Sequence, residues 1–287
     1  MNSDSSKQLM TCFKYRSGPK ALRCLSEGTL YFAAPNELND TLEAKFDYAS
    51  VEDFSRVMGQ TYSEVSQKRG GPPLSFDSAA LSDMSIANAA ENEKLREFCD
   101  LVGIFSAARR PDHQAMWAYY AENCSGVCFE LEWSPEVLQR HQLLAVEVTY
   151  THLPRIHNRA EDWRAVFMEL ATEYPDATIE QLHHLSLEEP IRQKWGIYTA
   201  SRATSSKHTD WAHESEVRLL APRAGALPVL ADVLKRVHFI RTDNDKWGET
   251  MQLLFTRYPL VEMVHWSFHH GMITATGREM EFRLVPA

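Results

Sequence analysis

The chain has 287 residues, 44% of them hydrophobic, with 30 Lys and Arg against 39 Asp and Glu for a formal charge of −9. That length buries a sizeable core in one large domain or two small ones, and the acidic balance excludes a global electrostatic footprint for duplex nucleic acid, leaving at most a local basic groove. No apolar run approaches the roughly 20 residues of a membrane span, and polar Met1 to Gln8 lack the apolar stretch of a secretory signal, so no membrane association and a cytoplasmic location are expected.

After the polar start, Cys12 to Arg16 alternates as a short strand and stops at Ser17-Gly18-Pro19. A helix is expected next, with Ser17 as its cap, Pro19 in the first turn, Ala21, Leu22, Cys24 and Leu25 as its apolar stripe and Gly28 as its stop. Thr29 to Phe32 reads as a strand, and Ala34 to Asp40, rich in turn formers, as a structured loop. From about Gln60 to Phe98 the composition is polar and small, broken by Gly70-Gly71-Pro72-Pro73, before a helical Asn92 to Leu101; the segment near 60–98 reads as a helical insertion or lid. Val102 to Ser106 is a strand, Asp112 begins a helix, and Gly126 to Leu131 and Leu144 to Tyr150 are strands. A helical insertion is expected near 160–203. Glu216 to Leu220 reads as a strand, Leu227 to Lys235 as a helix, Val237 to Ile240 as a strand and Lys246 to Tyr258 as a helix, with Val261 to His265, Met272 to Thr276 and Glu281 to Val285 extended. Strands and helices do not alternate strictly, and no glycine-rich phosphate fingerprint appears. The expected fold is therefore α+β, a mixed, mainly antiparallel central sheet with flanking helices in a single domain over 1–287.

Three segments carry polar groups that a packed core disfavours. Tyr15-Arg16 ends the opening strand, where a guanidinium offers a planar fork for a pyrophosphate or carboxylate; a surface ion pair is the plain alternative. Ser106 precedes the helix of His113, Met116, Trp117 and Tyr120, whose spacing builds an aromatic wall for a flat heterocycle or, equally, ordinary packing against a sheet. Trp211 to Leu219 read as a strand points Glu214, Glu216 and Arg218 to one side. Two acids so placed repel if buried, which raises one pKa or recruits a cation; if exposed, they form a solvated face. The five cysteines are odd in number with no C-x-x-C pair and read as reduced, packed thiols. The histidines show no H-E-x-x-H spacing, and no metal site is expected from them.

These segments also carry a resemblance. Phe13 to Ser17, Gly28 to Asp40, Met116 to Ala121 with Gly126 to Glu130, and Trp211 to Leu219, in that order, resemble the bacterial domain of unknown function 2971 family. The chain departs from that pattern at Thr41-Leu42, where proline and an aromatic usually precede the glutamate matched by Glu43, and at Tyr119, where histidine is commoner.

A more distant resemblance is to mono-ADP-ribosyltransferases, which carry an arginine or histidine on an opening strand, a serine or tyrosine on a middle strand and a glutamate on a late one. Arg16, Ser106 and Glu216 occur in that order, and Glu214-Ser215-Glu216 looks like the two-acid motif of the arginine-type enzymes. The resemblance implies an enzyme that cleaves NAD, its substrate, and transfers ADP-ribose to a protein or nucleic-acid acceptor, in a bacterial toxin or phage-defence setting. Glu216 would stabilise the oxocarbenium-like transition state, Glu214 steer the acceptor, Arg16 hold a phosphate or ribose and Ser106 brace the glutamate. Tyr15, Trp117 and Tyr120 complete the cofactor-binding set, with Trp117 or Tyr120 stacking on nicotinamide. Two other classes remain open: a non-catalytic module for a nucleotide or partner, and a nuclease binding a divalent metal through Asp40, Glu43, Glu214 and Glu216.

Overall fold

The computed structural model describes residues 9–40, 47–48, 50–74, 93, 97, 99–152, 156–157, 159–241, 247–269 and 272–279. In chain order the strands are β1 (Met10–Arg16), β2 (Leu30–Phe32), β3 (Asp47–Tyr48), β4 (Gly103–Ala108), β5 (Val127–Trp133), β6 (Leu144–Glu147) and β7 (Thr149–Thr151). They continue as β8 (Ile156–His157), β9 (Ser206–His208), β10 (Glu216–Ala221), β11 (Gly225–Leu227), β12 (Leu234–Phe239), β13 (Glu262–His269) and β14 (Met272–Glu279). The chain separates into two compact units, one of residues 1–34, 103–150 and 208–287, the other of 35–102 and 151–207.

The first unit is built on an eight-stranded sheet of order β14-β13-β12-β5-β1-β4-β10-β6 among the described residues. Neighbouring strands are antiparallel except β12 and β13, which the helix Trp247–Arg257 connects as a crossover. The fold is thus α+β with a mixed, mainly antiparallel sheet, as the sequence pattern implies. Period-two alternation sorts the side chains. On β5, Val127, Phe129, Leu131 and Trp133 turn to one face, where they pack with Ala21 and Leu25 of the helix Gly18–Glu27 and Met251 and Leu254 of Trp247–Arg257. Cys128 turns to the other face, which Met116 and Trp117 of the helix Gln114–Tyr120 cover together with Tyr15 and Ala108. Burying side chains such as Phe129 and Leu131 contributes about 1.5–3 kcal/mol each, which makes this two-sided core the main source of the unit's stability.

Several boundaries differ from the sequence reading for identifiable reasons. Leu230, Val233 and Leu234 are buried at i, i+3 and i+4 and mimic a helical stripe, yet the helix is the single turn Leu230–Val233. Leu234, Val237 and Phe239 continue instead as β12, pairing Leu131, Phe129 and Val127, so the sheet ladder overrides local periodicity. Ser17 stands at the N-cap of Gly18–Glu27 without a side-chain bond; Gly18 N–H donates to the Glu122 carboxylate at 3.0 Å. Gly28 ends that helix at φ 70°, a left-handed conformation that glycine adopts at little cost. Glu281 to Val285 lie outside the described residues.

The second unit is largely helical. Val51–Lys68, Arg159–Glu173, Ile179–Leu187 and Glu189–Thr204 surround a core of Met58, Tyr62, Val65, Trp163, Phe167 and Leu182. Residues near 60–68 are the second half of the first of these helices, which Ser50 caps by accepting from Asp53 N–H; residues 75–92 of the expected lid lie outside the described residues. Thr178 and Gln181 form a reciprocal capping box. Arg69 reaches the C-terminal end of Arg159–Glu173, donating to the Ala171 and Tyr174 carbonyls at 3.0 and 3.1 Å and also to Ala177 O. A guanidinium there satisfies orphan carbonyls and complements the helix dipole. Arg69→Ala is expected to lower stability by about 1 kcal/mol, allowing for its exposure, read as the shift in urea midpoint followed by far-ultraviolet circular dichroism.

Candidate active site

Three strands carrying candidate residues lie side by side: β1, β4 and β10. Phe13 pairs Ala108, which pairs Glu216, so these three share one row and one side of the sheet. The two junctions differ. β4 and β10 pair from Glu216–Ala108 to Ala221–Gly103, and β1 pairs β5 along its whole length. Between β1 and β4 Phe13–Ala108 is the sole pair among the described residues. Farther along, Ile104 is bridged by Ala33, whose N–H and C=O complete two backbone bonds with it. The opening between β1 and β4 is occupied by Lys14, whose ammonium donates to the Ser106 carbonyl and lies 4.8 Å from the centroid of the Phe105 ring. A side chain thus satisfies a carbonyl that a complete ladder would have paired.

The acidic segment departs from the expected continuous strand. Thr209–Glu214 is a 3-10 helix, Ser215 turns through a left-handed φ of 45°, and β10 begins at Glu216. Glu214 therefore does not share a strand face with Glu216. Arg218 does, and it clamps the Glu216 carboxylate through Nε at 2.8 Å and a terminal nitrogen at 3.1 Å, with the two side chains 0% and 3% exposed. This is the recruited cation, and the face is buried rather than solvated. Glu214 is buried too and accepts the Tyr120 hydroxyl at 2.6 Å, while Glu216 N–H donates to the Tyr150 hydroxyl at 2.8 Å.

The other candidates are placed as follows. Ser106 stands opposite Arg218 in the β4–β10 ladder, and among the described residues no hydrogen bond joins its hydroxyl to Glu216. Trp117 is fully buried, donates its indole N–H to Pro111 O at 2.7 Å and meets the Tyr15 ring edge-on at 5.3 Å. Tyr15 donates to Arg110 O at 2.9 Å. These two aromatics fasten the helix Gln114–Tyr120 to the sheet, and only Tyr120 of the aromatic set touches an acid of the site. Alternation along β1 turns Arg16 away from Tyr15, to the side of Lys14 and the helix Gly18–Glu27, where it lies beside the Cys24 thiol. Among the described residues its Nε is buried without a hydrogen-bond partner, while the guanidinium engages Cys24. The structure therefore joins Glu214 to Tyr120 and brings Ser106 opposite Arg218 beside Glu216; Arg16 stands about 10 Å along β1 from the Phe13–Ala108–Glu216 row and on the opposite face of the sheet, so it is not brought to them. Glu43 and Thr41-Leu42 lie outside the described residues, Asp40 belongs to the second unit, and among the described residues no cluster of three His, Cys, Asp or Glu side chains suits a metal.

Two features escaped the sequence reading. Lys14 is one. Burial first, then the charge of Arg16, pull its pKa from 10.5 to about 7, against the opposing pull of Glu216 and Glu214, which are within electrostatic reach. Its signal was a lysine in the same strand phase as buried Cys12. The second is a network on the opposite face: Glu130 takes His238 Nε2 at 2.8 Å and Arg236 at 2.8 Å, while Trp266 donates to His238 Nδ1 at 2.9 Å. An indole N–H only donates, so Nδ1 accepts from Trp266 while Nε2 faces the Glu130 carboxylate. Burial raises the Glu130 pKa, but His238 and Arg236 outweigh it and hold the carboxyl below its ordinary range. With both imidazole nitrogens engaged, this network stabilises the sheet and offers no free base.

A family model described as Protein of unknown function (DUF2971) matches residues 116–219, supporting that resemblance from Met116 of the aromatic helix to Leu219 of β10. No curated protein and no solved structure gives a significant match. Among the described residues no helix is long and apolar enough to cross a membrane.

Glu216→Gln strands a buried guanidinium and is expected to destabilise the protein by about 3–5 kcal/mol, whereas Glu216→Gln with Arg218→Met restores most of the loss, both read from urea midpoints. Lys14 gives a pH dependence. Its folded pKa lies below its unfolded one, so the unfolded chain binds more protons between about 7 and 10.5 and stability rises with pH through that window. The Cys12 thiol, pushed by burial from 9.0 to about 12, acts oppositely above 9.0. Lys14→Met is thus expected to flatten the rise between about pH 7 and 9; a difference curve with no slope in that range refutes the assignment.

Proposed function

We propose that this chain is an ADP-ribosyltransferase-like enzyme that cleaves NAD and transfers ADP-ribose to a protein or nucleic-acid acceptor. The observation that carries this reading is the adjacency of β1, β4 and β10, with the β1–β4 ladder reduced to Phe13–Ala108. Residues that the sequence spreads over two hundred positions come from three neighbouring strands, with Ser106 and Glu216 on one face of the sheet. In the reaction the bond from ribose C1′ to the nicotinamide nitrogen breaks, its electron pair leaving with nicotinamide. The acceptor's nucleophile bonds to C1′ and gives up its proton. Positive charge that builds on the ribose needs a fixed anion in a place of low dielectric. Glu216, held ionised and oriented by Arg218, supplies one, and Glu214 with the Tyr120 hydroxyl stands next along the chain to steer the acceptor. Arg16, assigned to the phosphates by the resemblance, leaves β1 on the opposite face of the sheet, so a phosphate contact from it requires a rearrangement of the β1 end. The bacterial toxin or phage-defence setting belongs to the same reading.

A second reading has its own observation. Glu216 is 3% exposed and already paired, which favours a module that binds a nucleotide without turning it over. Nicotinamide release from NAD by purified protein, with cell lysate as acceptor source, separates the two. Release that falls by about 10²–10³-fold in Glu216→Gln, with Glu216→Gln still folded by circular dichroism and release insensitive to a chelator, supports transfer. A rise in melting temperature with NAD and no release in any lysate supports the binding module. Chelator-sensitive nucleic-acid cleavage in place of either sinks both.

A further inference from the structure

We propose that His113 is a proton-operated latch: when its imidazole takes up a proton in mild acid, the 3-10 helix Thr209–Glu214 is driven off the helix Gln114–Tyr120 and Glu214 is withdrawn from the Tyr120 hydroxyl. His113 holds the N-cap position of Gln114–Tyr120, where its side chain makes no capping bond. Its ring lies 6.1 Å from that of His213, centroid to centroid, and Tyr120 donates to Glu214 at 2.6 Å. Neighbouring residues of the acidic segment thus meet the two ends of one short helix, and whatever displaces His213 pulls directly on Glu214.

Geometry makes the neutral form of His113 the one that fits. Its Nδ1 is cut off from water, and among the described residues no acceptor reaches it. A neutral ring can leave a lone pair there, whereas the cation places an N–H at an atom with nothing to donate to. The groups around the ring do not offset its charge. On its own loop Asp112 is clamped by Arg110 at 2.5 and 2.8 Å. From β1 the Tyr15 hydroxyl accepts from the His113 N–H at 3.4 Å and donates to the Arg110 carbonyl. From the acidic segment Glu214 is engaged by Tyr120, and His213, whose Nδ1 donates to the Asp210 carbonyl at 2.9 Å, faces His113 as a second imidazole able to carry a proton. Burial first, then His213 and Arg110, hold the His113 pKa below its ordinary 6.5. The unfolded chain therefore takes the proton more readily, so the contact is intact above pH 6.5 and is lost as pH falls below it. Trp117 anchors its helix in the core, while Asp210, Ala212 and His213 are exposed, so the 3-10 helix is the side that yields.

The latch stands apart from the NAD reading, and its test uses no nucleotide. Hydrogen exchange, corrected for its intrinsic pH dependence, follows residues 209–216 and, as a control, 247–257 at about pH 7.5 and 5.5 in the wild type, His113→Gln and His213→Gln, alongside imidazole titration by nuclear magnetic resonance. In the wild type, protection over 209–216 is expected to fall about tenfold on acidification while 247–257 holds; neither variant shows the fall, and His113 titrates below 6.5 in the wild type and nearer to it in His213→Gln. An unchanged melting temperature at pH 7.5 shows that a variant is folded, and His213→Gln, at an exposed position, carries the comparison if His113→Gln is not. No fall in the wild type, an equal fall in a folded variant, or a wild-type His113 midpoint at or above 6.5 overturns the proposal. Absence of nicotinamide release overturns the transferase reading alone.

Discussion

The incomplete junction between β1 and β4 is the constraint on which the first unit's polar interior depends. β1 lies in the middle of the sheet, where both edges of a strand ordinarily find backbone partners. On the β5 side they do, from Met10 to Arg16. On the β4 side the ladder stops after Phe13–Ala108, and the chain makes good the loss with Ala33 at Ile104 and the Lys14 ammonium at Ser106. A backbone defect is thereby converted into a place where a charged side chain is held inside the sheet. Because strand phase alternates, the same arrangement puts Arg16 on the Lys14 side and Glu216 with Arg218 on the other.

Charge burial follows a consistent pattern around this junction. Glu216 and Arg218 are buried as a fork, Glu130 is buried between His238 and Arg236, and Glu214 is buried against a tyrosine hydroxyl. In each case a carboxylate is satisfied by geometry that would be costly to break. Lys14 and Arg16 are the contrast, cations enclosed with little to oppose them. The polar atoms of Trp117 and Tyr15 serve the loop at Arg110 and Pro111.

Much of the fold was legible in the chain because short-range physics set it. Met10–Arg16 and Val127–Trp133 alternate with period two, Gly28 stops a helix whose stripe is plain, and the absence of strict strand–helix alternation pointed to a mainly antiparallel sheet. Where local pattern and ladder competed, as at Leu230 to Phe239, the ladder prevailed, and no local signal shows which strand will be offered as partner. The acidic segment shows the same limit: Glu214-Ser215-Glu216 reads as a strand until Ser215 takes a left-handed turn. The aromatic helix was readable as amphipathic, but not whether its aromatics face a ligand or a core.

By itself the sequence determined the α+β class, the packed thiols and the succession of elements, all consequences of spacing between near neighbours along the chain. It also contained Arg16, Ser106 and Glu216 in order, without saying that their strands adjoin. Only the tertiary structure decided that β1, β4 and β10 are neighbours, that Arg218 closes on Glu216, and that Lys14 enters the gap. The adjacency of the strands and the gap depend on pairings between residues roughly a hundred positions apart, whose register is chosen by burial of a whole sheet face, and that burial is what turns the neighbouring Glu216 and Arg218 on each other.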